Sequence, residues 1–166
     1  MEVKQIYDKV SQILEKHILI NKQATLIMQS LGYNGFKKMH YCLMKRFQKK
    51  QIKLAYKLFD IKGEKLDISQ VALTYNVSSL KEHLKSWLEE LKYSIKELGT
   101  LNKEYFETYG FMCKSIECIV DLMVDLLKYV HKWYNRGEAT DWLEMDLFLL
   151  DDKIKKHYEE EHARKD

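Results

Sequence analysis

Apolar residues recur at helical spacing in five stretches of the chain. Val3, Ile6, Val10, Ile13, Leu14, Ala24, Met28 and Leu31 fall on one side of a helix covering roughly residues 3 to 31. Gly32, Asn34 and Gly35 then predict a short turn. A second helix, from about Phe36 to Asp60, carries Phe36, Leu43, Phe47, Leu54 and Leu58 on one side, so the first two helices should pack antiparallel. Residues 61–78, IKGEKLDISQVALTYNVS, lack a helical stripe and contain several β-branched residues, which predicts a long and partly extended connection. Ser79 and Glu82 have capping-box spacing. After them Leu80, Leu84, Trp87, Leu88, Leu91, Ile95 and Leu98 give a third helix a clean buried face. Its end is open: the pattern runs on through Leu101 and Tyr105, whereas Gly99 is a stop signal. A fourth helix covers about Phe111 to Asn135, with Gly137 as the expected C-cap. In the fifth, after Thr140, WLEMDLFLL is apolar around much of its circumference and calls for partners on more than one side.

Two short turns and one long link predict a particular helical bundle. The link returns the chain so that the third helix starts at the same end as the second. We therefore expect one all-α domain over residues 1–166, with an irregular helical domain as the alternative. Composition agrees, since there are no prolines and six glycines to interrupt helices. With 46% apolar and 32% charged residues, the chain suits a folded globular protein rather than a disordered one. The most apolar run, SIECIVDLMVDLLKYV, is cut by Glu117, Asp121 and Asp125, which excludes it as a membrane span. Three cysteines (Cys42, Cys113 and Cys118) without metal-type spacing, and a start without an apolar signal core, lead us to expect a reduced, cytoplasmic protein.

Charge sharpens the picture at one place. Residues 37–57 hold eight Lys or Arg and no acid, leaving 20 basic against 25 acidic residues elsewhere, although the net charge is only +3. Lys45, Arg46, Lys49 and Lys53 lie on the polar side of the second helix, where a row of cations could neutralise phosphates. Tyr41, Tyr56 and Arg46 could add stacking on a single strand. The plainer reading is a solvated face, or one that docks the acidic segment Glu138, Asp141, Glu144, Asp146, Asp151, Asp152, Glu159, Glu160 and Glu161.

Two stretches carry a family resemblance. LAYKLFDIKGEKLDI, residues 54–68, resembles the end of the second ferritin helix running into its crossover, and SLKEHLKSWLEELKYSIKELGTLNKE, residues 79–104, resembles the third. The likeness covers most of the chain as pattern, helix lengths and loop lengths. It implies a ferritin-like four-helix bundle with a long crossover and an extra C-terminal helix. It also implies where a di-iron centre would be: a carboxylate on helices one and three, and Glu and His at i, i+3 on helix two. Here the helix-two positions are Gln51 and Leu54, and Leu88 stands at the helix-three position beside Glu89 and Glu90. Glu15 is near the right level of helix one but off its inner stripe. The usual di-iron ligands are thus missing.

Other candidate chemistry is sparse. His17 lies on the inner stripe of helix one with Asn21 one turn on, and the expected topology gathers His40, His83 and His131 near the end bearing the first turn. Three neutral imidazoles there could hold iron, zinc or copper; the plainer alternative is boundary residues bonded to backbone, water or each other. Glu117, Asp121 and Asp125 at i, i+4, i+8 are continued by Lys128 and Lys132, the pattern of a solvated face. No glycine-rich phosphate loop, HExxH or GxSxG is present. The functional expectation is a non-catalytic, ferritin-like structural or storage protein that forms homo-oligomers and holds metal at a nonstandard site. The alternative is a binding module using residues 36–60 to engage nucleic acid or an acidic protein.

Overall fold

The structure is a computed structural model describing residues 1–68, 71–139 and 141–149. Among these residues there are five helices and no strand: α1 (Val3–Leu31), α2 (Asn34–Lys62), α3 (Leu80–Tyr105), α4 (Gly110–Ala139) and α5 (Trp142–Leu149). One hydrophobic cluster draws residues from all five, with Leu14, Phe36, Phe47, Leu84, Trp87, Leu91 and Met123 among its fully buried members. The protein is an all-α helical bundle.

The hairpin between α1 and α2 needs only Gly32 and Tyr33. Gly32 is left-handed (φ 83°), which costs glycine nothing, and the Tyr33 N–H reaches back to the Met28 carbonyl at 2.9 Å. α1 and α2 therefore run antiparallel. Gly63, also left-handed (φ 64°), closes α2, and the chain then travels back along α1. The Asp67 N–H donates to Asp8 near the start of α1, and Leu73 and Tyr75 pair their backbones with the Gln23 amide near its end. Leu66 and Val77 anchor this crossover in the core. It delivers α3 to the end where α2 began, so α2 and α3 run parallel. Ser79 caps α3 by accepting the Glu82 N–H at 3.1 Å, as its spacing predicts, but the Glu82 carboxylate returns to Ser78 rather than to the cap residue.

α4 returns antiparallel to α3, and a Lys81–Glu138 ion pair joins the end of α4 to the start of α3. Glycine is the weak guide here. α3 passes straight through Gly99 to Tyr105. α4 likewise continues past Gly137, the expected cap, to Ala139. Gly137 is needed for another reason: the Trp142 ring occupies the space a Cβ would fill. Leu31, assigned to the buried stripe of α1, is exposed at the last position of that helix.

α5 crosses the end of the bundle. Asp146 is buried, and its carboxylate accepts the backbone N–H of Phe36 at 2.9 Å and also bonds Gly35 and Asn34. It thereby satisfies orphan donors of α2, whose own N-cap residue Tyr33 makes no side-chain cap. Burial pushes the Asp146 carboxyl up, and those three backbone donors pull it back down. Gly35 is the contact point, because a Cβ there would meet the Asp146 backbone carbonyl. Gly35→Ala should therefore prise α5 from α2 and lower stability by about 1–3 kcal/mol in urea denaturation. Gly99→Ala faces open space within a helix and should instead stabilise by about 0.5–1 kcal/mol. Equal effects of the two substitutions would contradict this account of the end cap.

Candidate functional site

Buried polar groups run through the upper half of the bundle as a single chain of hydrogen bonds. Its donors and acceptors can be assigned from chemistry alone. The Asn21 amide donates to the His17 carbonyl at 2.7 Å, so the Asn21 oxygen is turned toward His40 and accepts from its Nδ1–H at 2.7 Å. A neutral His40 then has only a lone pair at Nε2. That lone pair accepts from His83 Nε2–H at 2.8 Å, and His83 Nδ1 in turn accepts from the Tyr75 hydroxyl at 2.5 Å. The chain Tyr75–His83–His40–Asn21 thus joins the crossover, α3, α2 and α1. Both imidazoles are fully buried.

Burial settles their charge. His83 is lowered to about 3 by desolvation, and His40 lies well below its ordinary value through desolvation and its neighbour His83. Burial, with the Glu90 and Glu82 carboxylates nearby, pushes the Tyr75 hydroxyl well above its ordinary value. All three are neutral at physiological pH. Aromatic packing holds them in place, with Trp87 stacked on His83 at 5.6 Å and tilted against His40 at 4.6 Å between ring centroids.

His17 forms a second, separate site. Its Nε2 pairs with Ser94 at 2.7 Å and its ring stacks on Phe47 at 5.4 Å, which links α1, α3 and α2 at mid-height. Desolvation, with Lys16 nearby, lowers His17 to about 3. Nearby, Gln51 donates from one amide nitrogen to Glu15 (2.9 Å) and to Ser11. Glu15 and Gln51 thus stand at one level of the bundle, joined by an amide-to-carboxylate hydrogen bond.

The histidine trio is not assembled. His40 and His83 meet, whereas His131 is exposed on α4. Among the described residues no three His, Cys, Asp or Glu side chains come together as a metal site. The 2.8 Å between the two Nε2 atoms is a hydrogen-bond distance; two imidazoles on one tetrahedral ion at 2.0–2.1 Å each would hold their nitrogens ~3.3 Å apart. The pair as it stands is a structural bond between helices.

The basic set on α2 divides. Lys45 and Lys49 are exposed, Arg46 is half-buried, and Lys53 is half-buried and faces a cavity toward α4. Of the outermost row of α2, Tyr41, Lys45 and Tyr56 were legible in the sequence, whereas Ile52 and Phe59 were missed. Tyr41 and Lys45 stand one turn apart, and Ile52, Tyr56 and Phe59 continue the same side two turns on, with Tyr56 68% and Phe59 63% exposed. Lys45 sits over the Tyr41 ring at 4.3 Å. Lys50, only 6% exposed, was missed as well. Its signal was available: it stands three residues after Phe47 and four before Leu54, on the buried side. Tyr75 and Ser94 gave less warning, because nothing local marks them as partners of histidines. Of the acidic segment proposed to dock here, Asp151, Asp152, Glu159, Glu160 and Glu161 lie outside the described residues. No helix among the described residues is long and apolar enough to cross a membrane. No protein-family model matches the chain, and no curated protein resembles it significantly.

Proposed function

We propose that the protein is a non-catalytic structural protein of ferritin-like architecture that works as an assembly of copies. Support for the architecture comes from the helix directions: two antiparallel pairs, a parallel α2 and α3 joined by a long crossover, and a short fifth helix across one end. Support for a non-catalytic role comes from what fills the middle of the bundle, where Gln51 and Leu54 stand on α2 and Leu88 on α3.

One observation carries the assembly. α2 is apolar on two opposite sides, inward through Leu43, Phe47, Leu54 and Leu58, and outward through Tyr41, Ile52, Tyr56 and Phe59. The inward side has its cover within the bundle. An outward row of this size marks a protein contact surface, and a second copy of the chain is the occupant we propose. Tyr56→Lys with Phe59→Lys should break the assembly at little cost to folding, since both side chains are exposed. Light scattering on the eluted protein reads the outcome: a lower mass with unchanged helicity is expected, and an unchanged mass would overturn the interface.

The stacked Lys45–Tyr41 pair supports a second reading, in which the same face binds single-stranded nucleic acid through alternating cations and rings. A monomer that binds an unstructured oligonucleotide with steep salt dependence would select it.

A further inference from the structure

α5 grips its own copy through Met145 and Asp146, both buried, with the Asp146 carboxylate on the start of α2. Its other side is turned out. Leu143 is 52% and Leu147 59% exposed, one turn apart, and Glu144 beside them is exposed as well. On a helix of eight residues, two leucines so exposed leave apolar surface that a single copy does not cover.

This face and the outer row of α2 match in character and oppose in sign. The α2 row is apolar at Ile52, Tyr56 and Phe59 and carries exposed cations at Lys38 and Lys45, within a stretch, residues 37–57, that holds eight cations and no acid. Around α5 the balance is reversed, since residues 138–149 hold Glu138, Asp141, Glu144 and Asp146 and no Lys or Arg. A twofold contact of α2 with α2 would gather the cations of both copies in one interface, where like charges oppose association. The outer face of α5 brings leucines to the rings and carboxylates to the lysines instead. On the reading that the protein works as an assembly, we propose that Leu143, Glu144 and Leu147 of one copy dock on the outer row of α2 in the next copy. The contact is head-to-tail: each copy gives the α5 face at the end of its bundle and receives another on its side. Such a contact closes into a ring when the rotation between copies allows it.

Two double variants of the full chain test this by mixing. Tyr56→Lys with Phe59→Lys spoils the α2 row, and Leu143→Lys with Leu147→Lys spoils the α5 face; all four side chains are exposed. Each variant alone should be monomeric by light scattering, with unchanged helicity. Mixed in equal amounts, they should form a 1:1 pair and nothing larger, because one intact α5 face and one intact α2 row remain. High protein concentration is used, since a single contact lacks the gain of ring closure. Glu144→Lys, a single exposed change, reads the same face even if the leucine variant folds poorly, and should weaken association about two- to fivefold at low salt. A leucine variant that assembles like the natural sequence, a mixture that stays monomeric, or association unchanged by Glu144→Lys would overturn the α5 contact alone. A natural sequence that is itself monomeric would overturn the assembly and the contact with it, so the two failures are told apart.

Discussion

Acidification from pH 7 to pH 5 should destabilise the protein by about 6 kcal/mol, close to the whole stability of an ordinary domain. The cause is three buried neutral imidazoles. His17 and His83 titrate at about 3 and His40 well below its ordinary value, all through desolvation. In the unfolded chain each returns to about 6.5. Below that pH the unfolded state binds three more protons than the fold, so stability falls as pH falls, by about 1.4 kcal/mol per unit for each imidazole. Above about pH 7 neither state holds these protons, and the dependence from this source vanishes. Asp146 works the other way, because burial raises its carboxyl, but it is one group against three. Circular dichroism across a pH series should show cooperative loss of helix between about pH 5 and 4. His17→Gln should make stability less steeply dependent on pH. A protein fully helical at pH 4 would contradict the burial of these side chains as neutral groups.

Trp87→Ala should cost about 3–5 kcal/mol, the largest loss we expect from any single side chain. Trp87 is fully buried where α2, α3 and α4 meet, against His40, His83 and Trp133. Its indole N–H has no hydrogen-bond partner among the described residues, so the loss is one of packing and of the cavity left behind. The same substitution opens room for water beside the histidine pair. That should move His40 and His83 back toward their ordinary range and flatten the acid transition. Trp87→Phe, which keeps a ring in the cavity, should cost less and leave the transition steep. Urea denaturation at pH 7 and pH 5.5 reads both effects. A cost of less than about 1 kcal/mol would mean that the junction collapses freely around the gap.

Helices were legible in the sequence wherever the signal was local. The stripe Leu80–Trp87–Leu91–Leu98 and the Ser79 cap place α3 within a residue of where it begins. Signals that depend on a distant partner were not legible. Gly137 resembles a helix stop but serves Trp142, and Asp146 caps a helix more than a hundred residues earlier. The histidines show the same division. Their burial could be read from the stripes of α1 and α2, and the meeting of His40 with His83 from the topology. Whether they bind metal or each other depends on Tyr75 and Asn21, which complete the chain of hydrogen bonds and leave no lone pair over. The basic helix divides likewise, since counting cations cannot separate Lys50 in a cavity from Lys45 on the surface.

Native mass spectrometry of the full chain as purified, beside the Tyr56→Lys, Phe59→Lys double variant, tests the central claim most directly. The account predicts a closed oligomer for the natural sequence and its dissociation in the variant. A natural sequence that stays monomeric across concentration would contradict it.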